Sequence, residues 1–321
     1  VERLKRTELL TAAGSLSEMV RYMEAGADGI QIGEQQFGMR LPGDILSGEL
    51  DQAVRLAHEA GAKAYVAANR IMDNAALPLL PGYLEKAARA GADAVIFGDP
   101  AVLAAAGEAG LSGLVFHWNP EMTATNYATA NYWRGKGAVR AILARELSME
   151  QVLEFKRSCQ AEIQVQVHGM TNIFHSRRRM VSSYLDHLQT KEGKEPQPEA
   201  SRRDLAADKG MYLIEEERQD ERYPVYEDQA GTHIMSGDDL CMLDTLHEFL
   251  EAEIDSLKVE SLLKSQEYNI TVLRAYRAAM DAYYANPQEY RFRQEWLETI
   301  EEIQQRDRPL SYGFYFKEQV Y

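Results

Sequence analysis

Cysteine is nearly absent from this chain. Cys159 and Cys241 stand far apart among 321 residues, so no disulfide framework braces the fold and a cytoplasmic location is expected. Long apolar runs are missing as well. None approaches the ~20 residues that cross a bilayer, which argues against a helical membrane protein, and no secretory leader is evident at the N-terminus. Positive charge is short: 35 Lys and Arg face 50 Asp and Glu, for a net charge of −15. Generic nucleic-acid binding works by neutralising phosphates, so an acidic chain is a poor generic binder. The common catalytic templates are missing too. There is no G-x-S-x-G elbow, no H-E-x-x-H zinc spacing, and neither cysteine carries the histidine signature of a thiol nucleophile.

What is present is a repeat. Hydrophobic residues make up 45% of the chain, enough for a sizeable core, and they come in short runs. Each run ends in a polar residue and gives way to a helical stretch: 8–15, 29–33, 63–69, 94–99, 113–119, 140–146, 163–169 and 255–260. Three of the intervening segments close on an EAGAD-like stop, at 24–28, 59–63 and 89–93. A glycine there supplies the left-handed residue that ends a helix. Strand, helix, glycine stop and strand again is the βα unit of a parallel sheet, and eight such strands close a (βα)8 barrel.

The predicted architecture is therefore an α/β, TIM-like barrel over residues 1–265 with a helical extension over 266–321. A long insertion, 170–250, separates strands seven and eight. Within it, 191–201 is polar enough for a mobile loop, while 211–215 and 223–226 form an antiparallel hairpin expected over the barrel mouth. Helical runs at 268–286 and 287–305 precede an aromatic tail, 312–316, that either packs on the body or lines the mouth.

Barrel chemistry sits at the C-terminal ends of the strands, where the βα loops open. Strand two delivers Glu34, with Arg40 six residues on. Strands three to five end at Asn69, Asp99, and His117 with Asn119. Strand six ends in Arg145 and Glu146, strand seven in His168, and strand eight contributes Lys258 and Glu260. A rim salt bridge explains any one of these; the set points to a polar ligand pocket. Arg177, Arg178, Arg179, Lys191, Lys194, Arg202 and Arg203 crowd the stretch 175–203. They form either a solvated charged loop or a docking patch for an anionic partner.

The segment VHGMTNIFHSRRRMVSSY, 167–184, resembles the signature region of peptidase family U32, the collagenase-like peptidases. There a strand ending in His-Gly leads into a Cys-containing, Ser-rich segment. Blocks at 25–40, 143–148, 223–244 and 255–268 are similar to the same family, so the resemblance covers most of the chain. It is nearest to short, barrel-only members encoded beside a longer paralogue. The resemblance implies hydroxylation more than proteolysis: 5-hydroxyuridine at the tRNA wobble position, a hydroxylated ribosomal cytidine, or a hydroxylated ubiquinone precursor. Several such members hold an iron–sulfur cluster on cysteines, and the tRNA route draws on prephenate. The cluster cysteines correspond to Asn172 and Arg179 here, with a further ligand matching Cys241. A cluster needs about four thiolates and the chain has two cysteines, so none is expected on this chain alone. Cys241 is then a small buried hydrophobe or one ligand of something shared.

The leading expectation is a subunit of a tRNA wobble-uridine hydroxylation system, paired with a longer cysteine-bearing paralogue that carries any cluster. Arg40, Arg145 and Lys258 would clamp a small anionic metabolite or nucleotide, since guanidinium matches carboxylate and phosphate bidentately. Asn69, Asp99 and Asn119 complete the binding set, with no metal ligands. Glu34, Glu146 and Glu260 would orient the clamps or move protons. His168 and His233 are the acid–base candidates, because imidazole titrates near neutral pH; the alternative for His168 is a hydrogen bond to a neighbouring loop. tRNA would be met through the complex. Two further readings stand beside this one. A U32-type peptidase requires an activated nucleophile or a metal. A non-catalytic binding subunit suits the missing cysteines and Ser261-Leu262, where the family pattern has Gly-Arg.

Overall fold

A computed structural model describes residues 6–121, 123–191 and 211–317. The apolar runs become parallel strands: β1 (Glu8–Ala12), β2 (Gly29–Ile32), β3 (Lys63–Ala68), β4 (Ala94–Phe97), β5 (Phe116–Trp118), β6 (Ala138–Ile142), the first part of β7 (Glu162–Ser176), and β11 (Ser256–Val259). Neighbours in this order pair in parallel, and β11 pairs with both β7 and β1, so the ring closes. Strands covered on both faces must be apolar on both. Leu10, Tyr65, Ala94 and Ile96 fill the interior, while Leu9, Ile30, Val66 and Val95 face the surrounding helices.

Those helices are α1 (Leu16–Glu24), α2 (Leu50–Glu59), α3 (Leu80–Ala90), α4 (Ala101–Glu108), α5 (Tyr127–Gly135) and α6 (Met149–Ser158). The insertion contributes α7 (Met180–Lys191), and α8 (Leu246–Glu251) and α9 (Gln266–Ala285) complete the ring. The glycine stops behave as their spacing predicts: Gly26, Gly61 and Gly91 have φ of 106°, 73° and 75°. The helix α9 is the barrel's eighth helix rather than an appendage. Its Asn269 donates to the Tyr22 hydroxyl at 3.0 Å and its Arg277 Nε to the Gly26 carbonyl at 3.0 Å, which joins it to α1. Beyond it, Pro287–Glu289 forms one 3-10 turn and α10 (Gln294–Glu301) is short. The aromatic tail packs on the body, with Tyr315 buried and donating to the Gln166 carbonyl at 2.7 Å.

Strand seven does not stop at Gly169. It runs for 15 residues and leaves the barrel at Gly169, whose φ is 94°. A Cβ there would lie 2.4 Å from the Glu260 carbonyl oxygen, so only glycine allows this departure. The outer half of β7 pairs antiparallel with β10 (Gly231–Cys241), which pairs with β9 (Arg222–Asp228). The expected hairpin exists as β8 (Tyr212–Ile214) against the start of β9, but β8 is exposed along its length at the outer edge. The part of this flap that reaches the mouth is the other end of β9, at Asp228. The tail strand β12 (Leu310–Ser311) pairs with β10 and fixes the flap from behind. Lys194, Arg202, Arg203 and most of the expected loop at 191–201 lie outside the described residues.

Candidate functional site

Two strand ends hold two loops in place. Asn69 Oδ1, after β3, accepts the backbone N–H of Met39 at 3.0 Å, and Asn119 Oδ1, after β5, accepts that of Glu121 at 3.2 Å. Arg40 and Glu121, the residues so presented, have φ of 53° and 64°. Side chains rarely adopt that left-handed region, and residues forced into it cluster at functional sites. The two side chains meet: Arg40 Nη2 donates to Glu121 Oε2. Arg145 donates to the same oxygen through Nη1 and Nη2, each at 3.3 Å. Beside them Lys258 pairs with Glu260 at 2.9 Å. Burial alone would push the Glu121 carboxyl up. The charges of Arg40, Arg145 and Lys258 outweigh it and hold the group down at about 2.

The flap closes over this group. The Arg40 N–H donates to Asp228 Oδ2 at 3.4 Å, and Asp228 Oδ1 bonds His233 Nε2 at 2.8 Å. In register, His233 lies between Tyr226 on β9 and His175 on β7. Cross-strand neighbours on one face touch, so the rings stack: 4.8 Å and 18° to Tyr226, 4.7 Å and 16° to His175. Burial raises the Asp228 carboxyl, but the hydrogen bond and charge of His233 and the N–H groups of Ala230 and Arg40 bring it below the usual range. Among the described residues, four buried polar atoms here lack a partner: Arg40 Nη1, Glu121 Oε1, Tyr226 Oη and His233 Nδ1. Native proteins leave few such atoms. These four lie around one ion pair.

The structure sorts the predicted residues. Arg40, Arg145, Lys258, Glu260 and His233 come together. Asn69 and Asn119 support the loops that carry Arg40 and Glu121. Asp99 accepts the N–H groups of Met72 and Ala101, each at 2.9 Å, and braces its own loop. Glu34 accepts from the Ser47 N–H, and Glu146 is exposed. The placement of His168 at the mouth is corrected. Its alternation with Gln164 and Gln166 would turn it inward, but Lys258 pairs with Gln166 and Val259 with His168, so Val167 is an extra residue. Such a bulge reverses the facing. His168 is fully buried against α9, 3.0 Å from the Tyr268 hydroxyl, and burial lowers its pKa to about 3. Glu121, Tyr226, Asp228 and His175 were not among the sequence-derived site residues. Glu121 lies only two positions past Asn119, so following that loop further would have reached it.

The positions matching the family's cluster cysteines do not suit a thiolate-held group. Asn172 donates to the carbonyls of Phe174 and Ile234 at 3.0 and 3.2 Å. Arg179 is an exposed cation. Cys241 is buried in the core, where burial pushes its thiol up to about 11. In the basic stretch, Arg177 pairs with Asp73 at 3.3 Å, and Arg178 and Arg179 are exposed.

Fold and site together define a closed parallel βα barrel with a charged mouth beneath an antiparallel flap. Residues 14–320 match the model of peptidase family U32, and the chain belongs to that family. It is 44% identical over 319 residues to tRNA hydroxylation protein P2 of Bacillus subtilis (strain 168), covering 99% of this chain and 100% of that protein. With tRNA hydroxylation protein P1 of the same organism it shares 28% over 309 residues, 96% of this chain and 71% of that protein. A solved structure, the U32 peptidase Mk0906, superposes with a TM-score of 0.46 at 16% identity, covering 80% of this chain and 93% of that chain.

Proposed function

We propose that this chain serves tRNA wobble-uridine hydroxylation beside a longer, cysteine-bearing paralogue, and that its mouth holds a small carboxylate such as prephenate. The likeness along the whole of protein P2, and the presence of P1 and P2 in one organism, support the system and the pairing. One observation carries the ligand site: Arg40 and Arg145 converge on a single oxygen while Arg40 Nη1 has no partner among the described residues. Arg145 and Lys258 are 18% and 15% exposed, so a ligand reaches them from solvent. His233 is the acid–base candidate. Its Nε2 bonds Asp228, and its Nδ1, without a partner among the described residues, is the ring nitrogen left for a ligand. Any iron–sulfur cluster belongs to the paralogue. A peptidase would need a nucleophile beside that base, and among the described residues no Ser, Thr or Cys bonds to His233; Ser182 instead donates to Glu227 at 2.5 Å.

Deleting the gene, with redundant routes removed, should lower wobble 5-hydroxyuridine measured by mass spectrometry of tRNA, and an unchanged level overturns the function. Arg145→Ala and Lys258→Ala should each weaken prephenate binding in calorimetry by about tenfold or more, the worth of one charge-assisted hydrogen bond. Wild-type affinity in both variants overturns the site.

A further inference from the structure

Glu121 is an unusual partner for two arginines. One of its oxygens, Oε2, takes every contact from Arg40 and Arg145, while among the described residues Oε1 is buried without a partner, as is Arg40 Nη1. A relaxed guanidinium–carboxylate pair uses two nitrogens and two oxygens. This pair is end-on and incomplete, and the Glu121 backbone that presents it is held in the left-handed region with its N–H on Asn119. A free carboxylate carries no such tether. The charges point the same way. Lys258 is satisfied by Glu260, so removing Glu121 leaves the two guanidinium charges of Arg40 and Arg145 open. The Glu121 side chain is 20% exposed, which gives it a path outward.

We propose that Glu121 is a built-in occupant of the carboxylate site: it holds the place of a ligand carboxylate between Arg40 and Arg145, and the ligand enters by displacing it. The inference rests on the reading of the mouth as a carboxylate site and adds the residue that sets its affinity. A competing internal carboxylate scales the apparent affinity down to the fraction of molecules in which it leaves the site open. The mouth therefore selects ligands whose carboxylate pairs better than Glu121 does, and a neutral molecule cannot replace it without leaving the buried Arg40 and the partly exposed Arg145 unpaired.

The full chain is titrated with succinate and with inorganic phosphate by calorimetry. Glu121→Gln should bind succinate about tenfold or more tighter than wild type. Glu121→Gly suits the backbone at φ 64° and should do the same, so it decides the matter if the glutamine variant does not fold. Adding Arg145→Ala to either variant should abolish the gain. Equal or weaker succinate binding by both folded Glu121 variants, with Arg145→Ala still weakening the wild type, overturns the role of Glu121 and leaves the carboxylate site standing. No succinate binding by wild type or by either variant overturns both, and tighter binding of phosphate than of succinate overturns the carboxylate class.

Discussion

His168 shows how much one inserted residue can change. Had β7 kept its alternation, the imidazole would face the mouth; the extra Val167 turns it against Tyr268 and Tyr276, where burial lowers its pKa from the usual 6.5 to about 3. Between those values the unfolded chain takes up a proton that the folded chain refuses. Stability therefore falls as pH drops below about 6.5, with a slope of up to about 1.4 kcal/mol per pH unit. His168→Gln removes that titration, so its unfolding free energy in urea should decline more shallowly than wild type from pH 6 to pH 4. Parallel declines would show that His168 titrates normally. Glu121 and Asp239 act lower. Their stabilisation is complete above about 4.5 and 3.8 respectively and is lost as pH falls toward about 2, which separates their contribution from that of the histidine.

Among the elements, β7 matters most, because it belongs to both the barrel and the flap. Gly169 is the joint. Gly169→Ala places a methyl group against the Glu260 backbone at a φ of 94°. The cost should be about 3 kcal/mol or more, read as a lower urea midpoint, and binding at the mouth should weaken because Glu260 and the flap shift together. A wild-type midpoint would mean that the strand leaves the barrel by another path. Behind the flap, Asp239 on β10 accepts from Lys264 at 2.5 Å, Arg308 at 2.8 Å and Gln304 at 2.7 Å, with all three charged groups buried. Paired in this way the charges are tolerable, whereas a lone buried one is not. The network joins insertion, β11–α9 loop and tail, so the segment after α10 is part of what positions the site.

At the scale of the molecule, the net charge of −15 makes the chain a poor generic binder of RNA. Metal content tests the proposed division of labour between this chain and a longer paralogue. Protein purified without oxygen should be colourless and hold no stoichiometric iron, because Cys241 is a protonated core thiol and Asn172 is engaged with backbone carbonyls. A brown preparation with about four irons per chain would contradict this. A cluster that appears only on co-expression with a longer paralogue would support a shared or partner-held group.

The sequence alone determined the barrel: eight apolar runs, their order, the glycines that end the helices, and the polar residues at the strand ends. These are properties of neighbours in the chain, set by periodicity and by the conformations that single residues allow. The site was decided by contacts that periodicity does not encode. Arg40 finds Glu121 81 positions away and Asp228 188 positions away. His168 turns outward because of a register slip between β7 and β11, and His233 enters the site because two antiparallel pairings align it with Tyr226 and His175. Pairing register and loop reach depend on the whole packed chain, so only the tertiary structure could show which of the polar strand ends face one another.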